Sequence, residues 1–188
     1  MYLATTPEAN DLLETSPLAL LIGMLLDQQI PMGKAFTSPY VLAERLGAPL
    51  DAQTIAAYDP DEFEELFRRP PALHRFPAAM AKRVQVLARM LVERFGGDGA
   101  TVWTAAATGP ELVARIAQLP GFGEQKAKIF AALLGKQFGV QPPGWREATG
   151  EFGQDGSTRS VADVVDDVSL SAVRAYKKEM KAAAKAAG

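Results

Sequence analysis

Apolar residues recur every three or four positions along most of this chain, and the pattern predicts helices almost throughout. Thr6-Pro7-Glu8 opens a first helix, with Thr6 as its cap and Pro7 in the first turn. Ser16-Pro17 opens a second, which runs through an unbroken apolar stretch to about Gln29 before Pro31 interrupts it. Further helices are expected over 39–46, 51–58, 59–68, 80–95 and 101–108. Glu111 to Gln118 has helical spacing, and Pro120 stops it. After Gly123 the apolar residues Ala127, Phe130, Ala131 and Leu134 continue at that spacing until Gly135 and Gly139 mark an exit.

Pro70-Pro71 and Gly96-Gly97-Asp98-Gly99 read as loops, and residues 142–160 form the longest irregular stretch. Residues 161–168 are rich in β-branched side chains but show no convincing two-residue alternation. A last helix is expected over 169–186, with Leu170, Val173 and Tyr176 on its apolar edge. Lysines near its end suit the helix dipole. The fold class is therefore all-α.

The turn at Leu119-Pro120-Gly121-Phe122-Gly123, followed by Glu124-Gln125-Lys126-Ala127-Lys128, carries the most chemistry. Glycine tolerates φ > 0 and close approach, and the first N–H groups of the following helix lack intrahelical partners. They also lie at the positive end of the helix dipole, so the turn suits a phosphate. Lys126 and Lys128 add charge, while the Phe122 ring, like Trp103 and Phe130, reads as packing.

This string resembles the hairpin of the helix–hairpin–helix superfamily of base-excision DNA glycosylases (HhH-GPD). Leu21-Ile22-Gly23-Met24-Leu25-Leu26-Asp27-Gln28-Gln29-Ile30-Pro31, with Lys34-Ala35-Phe36, is similar to that family's early helix ending in a Gln-Gln pair. Met80 to Leu91 is similar to the helix leading toward the hairpin. The three matches occur in the family's order across roughly residues 17–140. The resemblance implies a two-lobed helical unit, here spanning 1–188, with the helix–hairpin–helix at about 111–135. It also implies double-stranded, damaged DNA as partner, held through Gly121, Phe122, Gly123, Gln125, Lys126 and Lys128.

Composition narrows the picture. The 188 residues, 48% hydrophobic and 22% charged, suit an ordinary globular unit with a sizeable core. No apolar run is long enough to span a membrane, and residues 1–10 lack a signal peptide's basic start and apolar core. The cytoplasm is the expected compartment, and a monomer the expected state. With no cysteine the chain can have no disulfide, thiol nucleophile, thiolate zinc site or iron–sulfur cluster. Neither a metal nor a cofactor is expected.

The net charge of −2 argues against indiscriminate polyanion binding, but the charges are segregated. Between Leu112 and Gly139, Arg115, Lys126, Lys128 and Lys136 face Glu124 alone. Lys82, Arg83, Arg89 and Arg94 crowd another segment that holds only Glu93. The acids concentrate in 51–65 and 147–167, which leaves room for a DNA footprint.

Base excision develops positive charge on the sugar, which a carboxylate stabilises or which it meets by activating water. The resemblance implies an aspartate shortly after the second hairpin helix. This chain has Trp145-Arg146-Glu147 there, and no aspartate between Gly123 and Asp155. Glu147 and Asp27 are the candidate replacements, with Asp155 third. Asp27 must face a cleft or pair with a base such as Arg146. Lyase-competent members carry an amine nucleophile where this chain has Gln125; Lys126 lies one residue on, about 100° around the helix. Strand cleavage through a Schiff base is therefore not expected, and hydrolysis is.

Gln28 and Gln29 stand where the family fills the space left by a flipped base. The plain alternative is two glutamines at a helix end, one capped and one solvated. Trp145 is a candidate stacking platform for an extruded base. His74, the sole histidine, reads as structural. Two other functions stay open: a catalytically silent lesion- or structure-binding protein on the same scaffold, and a helical protein–protein interaction module.

Overall fold

Caps and proline positions set the helix boundaries of this protein. The computed structural model describes residues 1–186, and among them there is no strand. The helices are α1 (Pro7–Thr15), α2 (Pro17–Leu26), α3 (Met32–Leu46), α4 (Ala52–Ala57), α5 (Pro60–Arg68) and α6 (Pro77–Phe95). They continue with α7 (Thr101–Thr104), α8 (Gly109–Ala117), α9 (Glu124–Gln137), α10 (Trp145–Thr149) and α11 (Asp167–Ala186). Thr6, Ser16, Asp51 and Asp59 cap α1, α2, α4 and α5 through their side-chain oxygens, and α1, α2, α5 and α6 begin on a proline. The all-α expectation holds. Among the described residues no single helix is long and apolar enough to cross a membrane.

The chain folds into two compact units. The first holds residue 1, residues 3–105 and the hairpin residues 118–122; the second holds residue 2, residues 106–117 and the chain from 123 onward.

In the first unit α2 is the central element. Nine of its ten residues are buried, as an all-apolar helix requires. Phe36 of α3 lies so close that a β-carbon at Gly23 would come within 2.7 Å of its ring. That contact explains why α3 starts at Met32 and not near Pro39. Burial of Ala35 and Phe36 outweighs the roughly 3 kcal/mol that an internal proline costs a helix. Across the unit, α6 turns Met80, Ala81, Val84, Leu87, Ala88 and Leu91 inward. Its Gln85 amide ties down the end of α4, donating to Ile55 O (3.3 Å) and Tyr58 O (2.9 Å). The rings of Tyr58, Phe63 and Phe67 form a ladder with centroids 5.7 and 5.3 Å apart.

The second unit is built on α9, which runs through Gly135 to Gln137. Gly135 is there for Trp145: a β-carbon would fall 2.4 Å from the indole. Gly109, at the start of α8, is equally crowded by the backbone of Gly144 and Trp145. Lys136 Nζ reaches Asp163 Oδ1 at 2.6 Å and Gln154 O at 2.8 Å, drawing the long loop onto α9. Asp163 also accepts from the N–H groups of Arg159 and Ser160. The β-branched stretch after Ser160 becomes a capped 3-10 turn (Val161–Asp163), and Asp166 with Ser169 then start α11.

Candidate nucleic-acid interface

The hairpin is tight. Phe122 N–H donates to Leu119 O (3.0 Å), and its ring is buried, so Phe122 anchors the turn and can offer a ligand its backbone only. Gly121 sits at φ 84°, a conformation that favours glycine; a β-carbon there would meet Leu25 only at ordinary contact distance. Gly123 is different. Its φ of −76° and ψ of 173° suit any residue, and a β-carbon there would have nothing within 4 Å. What its missing side chain does is leave the start of α9 uncovered. No side chain caps α9, and its first helical bond runs from Ala127 N–H to Gly123 O (2.9 Å). The N–H groups of Glu124 and Gln125 precede that bond and point out along the axis.

Charge around the hairpin is less positive than the sequence count. Lys128 Nζ lies 2.7 Å from Glu124 Oε1, one helical turn away. That hydrogen bond, and then the lysine's charge, hold the Glu124 carboxyl below its ordinary range. Both groups are accessible, so a phosphate can displace the carboxylate. Lys126 is half-buried, and Gln125 is exposed on the first turn. Gln125 and Lys128 share a concavity of about 410 Å³ with Thr149 and Gly150 in the second unit.

The Gln-Gln segment is not helical. The second helix stops at Leu26 because Asp27 takes φ −70°, ψ 69°, and Gln28 N–H folds back to Leu26 O (2.7 Å). Gln29 then adopts φ 56°, uncommon for a residue with a side chain. The turn is pinned from two sides. His74 Nε2 bonds Gln28 O (2.9 Å), and Arg83 Nη1 donates to Gln28 Oε1 (3.1 Å). Gln28 Nε2 donates to Leu25 O (2.7 Å). Gln28 is therefore a structural keystone, and Gln29 is the exposed member of the pair. Asp27 is half-buried beside them, its N–H bonded to Gly23 O (3.0 Å).

His74 explains how the turn is held. It is 1% exposed, and its Nδ1 accepts from Phe76 N–H (3.0 Å). Burial pushes its pKa below the ordinary histidine value, with Lys34 and Arg83 adding repulsion; hydrogen bonds to the carbonyls of Gln28 and Leu26 oppose this. The ring is a neutral bridge. It also sets Phe76 at the surface, 42% exposed, with the Arg75 guanidinium 5.2 Å from its ring centroid. Arg75 and Phe76 were not singled out by motif, yet the signal is in the sequence. Between Glu65 and Glu93 there is no acid, while Arg68, Arg69, Arg75, Lys82, Arg83 and Arg89 all fall there.

The remaining predicted residues separate. The Trp145 indole is packed against Gly135 and only 7% exposed, and the Arg146 guanidinium stands 4.6 Å from its centroid. A ring so enclosed offers no free face, so Trp145 is a packing residue and not a stacking platform. Arg146 donates to Gly153 O and to Asp155 Oδ1, both at 2.8 Å; its carboxylate partner is Asp155. Glu147 is exposed on α10. Among the described residues no group of three or more acids or histidines could hold a metal ion.

No protein-family model, curated protein or solved structure matches this chain.

Proposed function

We propose that this protein is a cysteine-free, divergent relative of the HhH-GPD base-excision glycosylases that binds damaged duplex DNA and hydrolyses an N-glycosidic bond. The observation that carries the reading is the Gly121–Gly123 turn leading into an α9 N-terminus that no side chain caps, with open space beside Gly123. A helix end of that kind receives a backbone phosphate. Within the first unit, the pinned turn at Gln28 and Gln29, flanked by Lys34, Arg75 and Arg83, supports contact with a polyanion in its own right.

In this reading a carboxylate faces the sugar as the base departs with the bonding electrons, and water supplies the hydroxyl that replaces it. Asp27 is the better placed of the two candidates, half-buried next to the exposed Gln29, whereas Glu147 is solvated. The test is base release from duplexes carrying alkylated, oxidised or deaminated bases. Asp27→Asn should abolish release and Glu147→Gln should leave it intact. Binding without release from any lesion would refute the enzyme. It would instead favour the second reading, a silent lesion-binding protein, for which the absent aspartate already speaks. A helical protein–protein module predicts DNA affinity near zero and without salt dependence.

A further inference from the structure

A groove of about 520 Å³ lies between α5 and α6 in the first unit, outside both the hairpin and the Gln28–Gln29 turn. One wall is acidic, from Asp61 and Glu64 on α5; the other is basic, from Lys82 and Arg89 on α6, with Ala78 and Ala81 among the apolar residues between. Asp61, Lys82 and Arg89 make no side-chain ion pair among the described residues, so opposed charges face the groove unbridged. Glu64 is engaged by Arg68.

Gln85 adds the polar group that orients a ligand. It is 3% exposed and lines the groove. Its amide nitrogen is committed to the carbonyls of Ile55 and Tyr58, which leaves the amide oxygen of this lining residue as an acceptor for a ligand. Along α6 the order is thus cation, acceptor, cation. Lys82 and Arg89 are seven residues apart, about 10 Å along the helix axis. A free amino acid carries both its charges on one carbon and cannot reach from wall to wall. A phosphate backbone would meet Asp61 and Glu64. An extended peptide fits: its same-face side chains repeat about every 6.7 Å, so three of them cover the basic wall with a donor opposite Gln85 and Asp61.

We propose that this groove binds an extended segment of a partner protein, carrying a basic side chain between two acidic ones at alternate positions. The site goes beyond the DNA reading and stands or falls without it. It is tested by amide chemical-shift titration of the full chain with the end-blocked peptide Ala-Glu-Ala-Lys-Ala-Glu-Ala, against the charge-swapped Ala-Lys-Ala-Glu-Ala-Lys-Ala. The expected shifts cluster at residues 60–64 and 78–89, and the swapped peptide binds at least about tenfold more weakly. Asp61→Asn should weaken the first peptide, and Lys82→Glu with Arg89→Glu should reverse the preference. These side chains lie at the groove surface, so the variants should keep the wild-type circular dichroism and melting profile. Equal binding of the two peptides overturns the proposal, as does the absence of shifts at millimolar peptide. Shifts at these residues with duplex DNA in place of peptide overturn it too, and they leave the hairpin reading untouched.

Discussion

Gly121 and Gly123 are one residue apart, yet the structure asks opposite things of them. Replacing Gly121 by alanine forces a side chain into φ 84° and should cost about 1–2 kcal/mol of stability. At Gly123 the backbone is extended and the space around it is empty. Alanine there restricts the unfolded chain without straining the folded one, and should stabilise by about 0.4–1 kcal/mol. DNA binding should follow the reverse logic. A methyl group on residue 123 stands at the approach to the Glu124 and Gln125 N–H groups. Loss of one charge-assisted hydrogen bond is worth about 1.5–3 kcal/mol, or about 10- to 150-fold in Kd. Urea unfolding supplies the stability difference, and fluorescence anisotropy with a labelled duplex supplies the affinity. A Gly123→Ala variant that binds DNA like the wild type would show that no phosphate sits on α9. A variant as unstable as Gly121→Ala would refute the backbone argument.

Two further predictions concern what holds each unit in shape. Lys136 and Asp163 form a largely enclosed pair, 15% and 3% exposed at their side chains, so Lys136→Met should cost about 3 kcal/mol. Adding Asp163→Asn should recover part of that loss in urea unfolding, and a double variant as unstable as the sum of the two singles would contradict the coupling. His74 is held neutral with its pKa below the ordinary value, so the unfolded chain takes up a proton first as pH falls. Its contribution to stability is thus fully present above about pH 6.5 and is lost below it, towards the lower folded-state pKa. Since it is the sole histidine, His74→Gln should flatten the urea midpoint between pH 7 and pH 5.5, and an unchanged slope would place the titration elsewhere.

The helix starts were legible because they rest on local chemistry. Thr6, Ser16, Asp51 and Asp59 cap where their side chains suggest, and α6 is a long amphipathic helix with glycine at its end. What stayed hidden is decided by residues far apart in the chain. The end of α2 depends on His74 and Arg83, some fifty positions away, gripping Gln28. The start of α3 depends on Phe36 meeting Gly23. A helix over 101–108 was expected, but α7 ends at Thr104, because Glu111 N–H donates to Thr108 Oγ1 and Ala107 N–H donates to Glu111 Oε2 to begin α8. Trp145 looked available next to a glycine-rich loop, and only the notch at Gly135 shows where its ring goes. At the hairpin the glycines were readable as a turn, but not that only one of them is needed for the turn itself.

The most direct test of the hairpin as a phosphate anchor is the salt dependence of duplex binding for the wild type and for Lys126→Glu with Lys128→Glu. The wild-type log Kd should rise steeply and linearly with log salt, and the double variant should bind all sequences more weakly. Its slope should be shallower by at least about 0.9, one phosphate contact, since Lys128 already shares its charge with Glu124. A double variant with wild-type affinity and wild-type slope would contradict the account and take the hairpin out of it.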